Sequence, residues 1–127
     1  LQTVKAPLQV ADAAAVASVA VQVDLEHSWI GDLVLTLLPP AGSGLGKLVL
    51  HDRAGGSAKS LHKRWDVRSL PALAAVAGRS CKGTWTLELR DGAAQDSGVL
   101  QGWSLTMAYG AAPVRSPRTA KPKKVPR

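Results

Sequence analysis

The chain has 127 residues, enough for one domain with its own core, and no apolar run approaches the roughly 18 residues of a membrane-spanning helix. Its composition is 46% hydrophobic, without phenylalanine, so valine, leucine, alanine and the four tryptophans must fill the core. The net charge of +7 would indicate a nucleic-acid-binding protein only if it were spread over the chain.

The basic residues are concentrated at the C-terminal end. Residues 111–127 hold six of them with no acid, whereas residues 1–110 hold ten against nine acids. We therefore predict a nearly neutral domain over residues 1–110, with no nucleic-acid or membrane partner. Residues 111–127, with four prolines and few apolar side chains, are predicted to be a flexible basic tail.

The N-terminal half reads as strands separated by turns. Residues 11–16 are ambiguous between a helical turn and the start of a strand, whereas Ser18–His27 alternates apolar and polar side chains as a strand with one wet face does. The apolar run Leu33–Leu38 predicts a central strand that ends at a Pro-Pro pair. A glycine-rich turn over residues 41–46 then leads into a return strand over residues 47–52.

The C-terminal half contains the single helical candidate. Within residues 68–79, Ser69 is a suitable N-cap, Pro71 suits a first turn and Gly78 suits an end, which predicts a helix of about two turns. Residues 83–91 and 99–109 alternate again and predict two further strands, with Trp85 and Trp103 on their core faces. Several short strands with one short helix predict an all-β sandwich or barrel.

The familiar catalytic and phosphate-binding motifs are incomplete in this sequence. The segment AGSGLGK, residues 41–47, has alanine and leucine where a phosphate loop needs glycine and a hydroxyl residue, so we interpret it as a hairpin turn. His27, His51 and His62 lack the spacing of a zinc-protease pair, and no serine lies on a nucleophile elbow. We expect no catalytic activity from this chain alone. The lone Cys81 cannot form an internal disulfide and is predicted to be a buried thiol.

The acidic loop RDGAAQDSG, residues 90–98, leaves two interpretations open. Asp91 and Asp96 flank sharp bends and have the oxygen chemistry of a hard-cation site. Equally, both carboxylates can accept backbone N–H groups and fix the turn.

Two blocks of sequence resemble one family. The segment EHSWIGDLVLTLLPPAG, residues 26–42, and the segment KGTWTLELRDGAAQDSGVLQGWSLTM, residues 82–107, are similar in content, order and separation to the signatures of the P domain, also called the P/Homo B domain. This module follows the catalytic domain in proprotein convertases and in many bacterial secreted proteases. The resemblance implies a jelly-roll β-sandwich of about eight strands.

The motif carries over onto particular positions of this chain. The structural positions that match are His27, Gly31, Asp32, Leu33, Gly83, Trp85, Leu87, Asp91, Ala93, Asp96, Gly98, Trp103 and Leu105. The chain departs from the family pattern in its alanine-rich insert and at Cys81 and Lys82. Bacterial relatives also suggest structural calcium, for which the candidate ligands here are Asp24, Asp32, Asp91 and Asp96.

The resemblance implies a function in a larger protein. We expect a non-catalytic accessory domain of a secreted bacterial protease, whose partner is the catalytic domain of the same polypeptide. A subtilisin-like serine endopeptidase is the first expectation and a thermolysin-like metalloprotease the alternative. Apart from that partner, we expect a monomer.

A second hypothesis is an independent binding module for carbohydrate or insoluble protein. Its candidate contacts are Trp29 and Trp65, and Trp65 is the tryptophan expected to be exposed because charged residues flank it. Trp29, His27 and Asp32 are otherwise expected to be framework residues.

Overall fold

The computed structural model of the chain describes residues 2–91, 98–109, 118–120 and 123–125. Strands dominate this part, as the all-β prediction requires. The strands are β1 (Gln2–Val10), β2 (Ala15–Val16), β3 (Ser18–His27), β4 (Leu33–Leu38), β5 (Leu48–Asp52), β6 (Ser60–Trp65), β7 (Arg79–Ser80), β8 (Gly83–Asp91), β9 (Gly98–Ala108), β10 (Arg118–Ala120) and β11 (Lys123–Val125). Two 3-10 helices, Ile30–Asp32 and Pro71–Val76, complete the regular structure of the described residues, and neither is long or apolar enough to cross a membrane.

The strands form two antiparallel sheets and one small ribbon. The first sheet has the order β1-β8-β4-β5, and the second has the order β10-β9-β3-β6, with β11 also pairing with β9. The ribbon consists of β2 and β7. Most central pairings join distant parts of the chain: Val10 lies opposite Gly83 in the first sheet, and Ser18 lies opposite Ala108 in the second.

The core lies between the two sheets because each long strand turns alternate side chains inward. In β8 the buried residues are Trp85, Leu87 and Leu89, and in β9 they include Trp103 and Leu105. Val19, Val21, Val23 and Leu25 of β3 share this core, as their alternation predicted. The all-β sandwich is confirmed, whereas the jelly-roll connectivity stays a prediction.

The predicted helix is present, but it is shorter than predicted and more tightly wound than an α-helix. It is a 3-10 helix over Pro71–Val76, and its N-cap is Leu70, without a side-chain hydrogen bond. The expectation that Ser69 caps it is wrong, because the Ser69 hydroxyl accepts the backbone N–H of Asp66 instead. Pro71 starts the helix and Gly78, at φ +79°, follows its end, as expected.

The C-terminal residues differ in part from the flexible tail that the composition predicted. Arg118 lies opposite Leu105 and Val125 lies opposite Gly98, so the segments 118–120 and 123–125 add strands to β9. The physical reason is that β9 would otherwise be an open edge with unpaired backbone N–H and C=O groups. The division between residues 1–110 and 111–127 stays a prediction.

Candidate functional site

A buried histidine–aspartate pair connects the two sheets at one end of the sandwich. His27 ends β3 in the second sheet, and Asp91 ends β8 in the first. The imidazole Nε2 lies 2.8 Å from Asp91 Oδ2, and the two side chains are 0% and 1% exposed. Since the pair is fully desolvated, loss of either partner would remove a hydrogen bond that water cannot readily replace.

The hydrogen bonds of His27 determine its tautomer. The backbone N–H of Trp29 donates to His27 Nδ1 at 3.0 Å, so Nδ1 is an acceptor without a proton. The ring proton is therefore on Nε2, which donates to the Asp91 carboxylate. Both ring nitrogens are engaged by the protein, which leaves neither for a metal ion or for general-base catalysis.

Two motif glycines allow the chain to close around this pair. A Cβ at Gly98 would lie 2.3 Å from the Glu26 carbonyl oxygen and 2.9 Å from His27 Cδ2. A Cβ at Gly31 would lie 2.8 Å from the Gly56 carbonyl oxygen, which accepts the Gly31 N–H at 2.7 Å. Both positions therefore need glycine for close backbone approach and not for a turn conformation.

The remaining motif residues support the core. Gly83 has φ +130°, and a Cβ there would lie 2.8 Å from Pro40 Cβ. Trp85 is fully buried and its indole N–H donates to the Cys81 carbonyl oxygen at 2.8 Å. Trp103 is equally buried, but its Nε1 has no hydrogen-bond partner among the described residues. Burial raises the pKa of the Cys81 thiol, as expected of a buried free cysteine.

The two tryptophans proposed as ligand contacts behave differently. Trp29 is 44% exposed at the end of the sandwich, with the Lys59 ammonium 5.3 Å from its ring centroid. Trp65, in contrast, is 2% exposed, so the expectation that it is exposed is wrong. Trp65 is the last residue of β6 and lies opposite Val21. Because successive side chains of a strand point to opposite faces, its ring points into the core, whereas the side chains of its charged neighbours Arg64 and Asp66 do not.

The candidate calcium ligands occupy separate environments. Asp24 accepts hydrogen bonds from His62 and Gln22, and Asp91 is bonded to His27. Asp32 lines a groove of about 450 Å³ with one further acid, Glu88, and with three basic residues whose positive charges disfavour a cation, namely Lys47, Arg53 and Arg90.

Asp96 lies outside the described residues. Within the described ranges, no three His, Cys, Asp or Glu side chains are grouped so that they could hold a metal ion. The three described aspartates alone do not fit a calcium ion, and the four-aspartate site stays a prediction.

The other two histidines, His51 and His62, also form hydrogen bonds within the protein. His51 Nε2 lies 3.2 Å from the Ile30 carbonyl oxygen, and His62 Nδ1 lies 2.9 Å from Asp24 Oδ1. In the part of the chain that the structure describes, no histidine is hydrogen-bonded to a serine or cysteine side chain. The site therefore has the chemistry of a cross-link between sheets and not that of a nucleophile and its base.

A family model described as the proprotein convertase P-domain matches residues 16–107. The chain belongs to the P-domain family. Both motif blocks, including the His27–Asp91 pair, fall within the matched range.

This P domain also matches two groups of curated relatives. It is 44% identical over 110 residues to a calcium-dependent protease of Trichormus variabilis, which covers 87% of the chain and 16% of the relative. It is 36% identical over 90 residues to leupeptin-inactivating enzyme 1 of Streptomyces exfoliatus, covering 71% of the chain and 18% of the relative. The matched region thus spans about a sixth of the length of these relatives.

A solved structure supports the fold. The serine protease of Aeromonas sobria matches 98% of this chain and 22% of its own, with a TM-score of 0.52 and 20% identity. At that identity the likeness concerns the fold alone.

Sequence reasoning missed several partners of the motif residues. Lys59, which lies over Trp29, and Gly56, which accepts the Gly31 N–H, are separated from those residues by 25 or more positions. No local pattern signals such contacts. The pairing of His27 with Asp91 also joins residues that are far apart in the sequence, although both residues belong to the family motif.

Proposed function

We propose that this P domain packs on the catalytic domain of a secreted serine endopeptidase in the same polypeptide, and that it stabilises and modulates that domain. The observation that carries the proposal is the family match over residues 16–107, together with two longer relatives that are named calcium-dependent proteases. The histidine–aspartate site adds to it, because its groups hold the sandwich together and are not available for chemistry.

The mechanism is thermodynamic linkage. A domain that binds only the folded form of its neighbour lowers the free energy of that folded form and raises its melting temperature. The rigid sandwich suits this role, since a surface that does not reorganise loses little conformational entropy on docking.

The experiment compares the full-length protease with a form that lacks the P domain. We expect lower yield, a lower melting temperature or altered kcat/KM in the shortened form. A full-length His27→Ala variant should shift the same quantities in the same direction, while His62→Ala serves as the matched control. Equal yield, melting temperature and kinetics in all forms would contradict the proposal.

Calcium enters this proposal through the relatives, which are named calcium-dependent proteases. We propose that Asp96, with one or more of the other candidate aspartates, holds a structural calcium ion. The melting temperature of the chain should then rise in millimolar calcium relative to chelator, and Asp96→Asn should remove the rise, while Asp12→Asn should not. An identical melting temperature with calcium and with chelator would remove calcium from the proposal.

The exposed Trp29 favours one second candidate, a binding module for carbohydrate or insoluble protein. An indole that is 44% exposed at a loop rim can stack on a sugar ring or an apolar side chain. Pull-down of the chain on chitin, cellulose and collagen tests this candidate. Retention that Trp29→Ala abolishes and that Val49→Ala, at 45% exposure, leaves intact would support it.

A further inference from the structure

A cationic groove lies between the β4–β5 turn and the segment that contains β7. Its volume is about 420 Å³. Residues 40–43 form one wall, and Arg79, Ser80 and Lys82 form the other. This groove is lined by two cations and no acid.

Three other grooves of comparable size on the described surface have a different charge balance. Each includes at least one acidic residue: Asp66 in the first, Asp32 and Glu88 in the second, and Glu26 in the third. This groove therefore differs from the other three in having cations with no acid beside them to offset their charge.

The turn holds Arg79 in a fixed position. Gly42 and Gly44 have φ of +82° and +80°, and the Ser43 N–H donates to the Pro40 carbonyl oxygen at 3.1 Å. The Ser43 carbonyl oxygen accepts from Arg79 Nη1 at 3.2 Å. A Cβ at Gly44 would lie only 3.0 Å from the same nitrogen, so the absence of a side chain there lets the guanidinium lie against the turn.

The donors of both cations remain available. A guanidinium has five N–H donors, and the hydrogen bond to the Ser43 carbonyl oxygen uses one of those of Arg79. Among the described residues neither Arg79 nor Lys82 is in an ion pair. Gly42 faces open space, with no heavy atom within 4 Å of where its Cβ would be, so a ligand can approach the backbone of the turn.

We propose that this groove binds an oxyanion, meaning a carboxylate, phosphate or sulfate group, between the Arg79 guanidinium and the Lys82 ammonium. A planar guanidinium held by its turn offers paired N–H donors to two oxygens of such a group, and the ammonium adds a point charge. The proposal does not depend on the proposed function, since it concerns the charges of this chain alone.

The test is an NMR titration of the ¹⁵N-labelled 127-residue chain at low ionic strength, where exposed charges are least screened. The probes are inorganic phosphate, sulfate and a short peptide of aspartate and glutamate, with sodium chloride at matched ionic strength as the reference. We expect saturable shifts of the Gly42, Ser43 and Gly44 amides with the three oxyanion probes and no comparable shifts with chloride. Tighter binding of the peptide would identify a protein carboxylate as the ligand, and tighter binding of phosphate or sulfate a small inorganic anion.

Substitutions distinguish oxyanion binding in this groove from nonspecific attraction of anions to the positively charged chain. The double variant Arg79→Ala/Lys82→Ala should bind about tenfold more weakly, since both cations that face the oxyanion are removed and exposed ion pairs are individually weak. Arg90→Ala removes an exposed cation elsewhere and should bind as the wild type does. Lys82→Glu, at an exposed position outside β7, gives a second variant if Arg79→Ala disturbs the pairing with β2. Equal shifts with chloride, or unchanged affinity in the double variant and in Lys82→Glu, would overturn the proposal.

Discussion

At the scale of single residues, two histidine–aspartate pairs with similar hydrogen-bond distances differ strongly in burial. His27–Asp91 is closed at 2.8 Å with both side chains buried, and His62–Asp24 is closed at 2.9 Å with side chains 51% and 38% exposed. Water can replace a lost partner in the second pair and not in the first. The same pair of residue types therefore makes different contributions to the free energy of unfolding at two places in one molecule.

The first prediction uses this natural comparison. His27→Ala should destabilise the chain by about 3 kcal/mol, because it removes the imidazole N–H donor from a buried carboxylate. His62→Ala should change the free energy of unfolding by no more than about 1 kcal/mol. Urea unfolding followed by tryptophan fluorescence measures both values, and equal effects would contradict the assignment of His27 as the cross-link.

Two glycines provide the second prediction. Gly98→Ala should cost about 2–3 kcal/mol, because its Cβ would meet the Glu26 carbonyl oxygen at 2.3 Å and force the backbone apart. Gly46→Ala, with nothing within 4 Å of the added Cβ, should lie within about 1 kcal/mol of the wild type. Thermal melting of the two variants measures the difference in stability. A Gly98→Ala variant as stable as Gly46→Ala would refute the close approach of the Gly98 backbone to Glu26.

The buried tryptophans provide the third prediction. Trp85→Phe removes a hydrogen bond to the Cys81 carbonyl oxygen, whereas Trp103→Phe removes an indole N–H that has no partner in the described structure. Both changes remove a similar volume from the core. We expect Trp85→Phe to be more destabilising by about 1 kcal/mol in urea unfolding. The reverse order would show that packing differences outweigh the hydrogen bond.

At the scale of elements, the sequence predicted central strands better than edge strands. β3, β4, β8 and β9 follow clear apolar patterns, because each has neighbours on both sides. β1 and β6 were missed, because edge strands carry the proline and charges that prevent further pairing. Pro7 lies within β1, and Lys63 and Arg64 lie within β6.

The candidate site was predictable in its members but not in its contacts. His27, Asp91, Gly31 and Gly98 all belong to motif blocks visible in the sequence. The hydrogen bond from His27 to Asp91 joins residues 64 positions apart, and only the packing of the two sheets brings them together. The Arg79 contact with the β4–β5 turn is non-local in the same way.

The turn that follows β6 gives a pH-dependent prediction. Asp66 accepts the backbone N–H groups of Ser69 and Arg68, and these bonds, with the nearby Arg64 charge, lower the pKa of its carboxyl below 3.8. A lowered pKa means that the ionised group stabilises the fold above pH 3.8 and that this contribution is lost as the pH falls through the lowered value.

Asp66→Asn should therefore be less stable than the wild type at neutral pH, and the difference should vanish in strong acid. Urea unfolding across this pH range measures the difference, and a ¹³C titration of the carboxyl gives its midpoint directly. A midpoint at or above 3.8 would contradict the assignment. Ser69→Ala should raise the midpoint in part, since the Ser69 hydroxyl also contacts the carboxylate.

At the scale of the whole molecule, the core identifies the folding unit. Among the residues whose burial the structure describes, the buried core residues lie between Ala6 and Tyr109. The two C-terminal strands pair with β9 in the second sheet. The sandwich and the C-terminal segment can therefore be separated experimentally.

A chain truncated after residue 110 should still unfold in one cooperative transition. Amides of β9 on the side of the missing strands should exchange faster with solvent, because their edge is no longer covered. A full-length control in which the six tail cations become glutamine loses the charge but keeps the backbone, and it should retain this protection. Gradual, non-cooperative unfolding of residues 1–110 would refute the division of the chain.

The order of the strands also determines when the chain can fold during its synthesis. β8 is the partner of β1 and β4, and β9 is a partner of β3, so the β3–β6 and β4–β5 pairs can form early but both sheets are incomplete without residues 83–108. A nascent chain leaving the ribosome exposes the apolar segments of β1, β3 and β4 for the whole time needed to translate the intervening residues. Such dependence on distant partners slows folding, and it makes the first eighty residues the stretch on which a molecular chaperone would act.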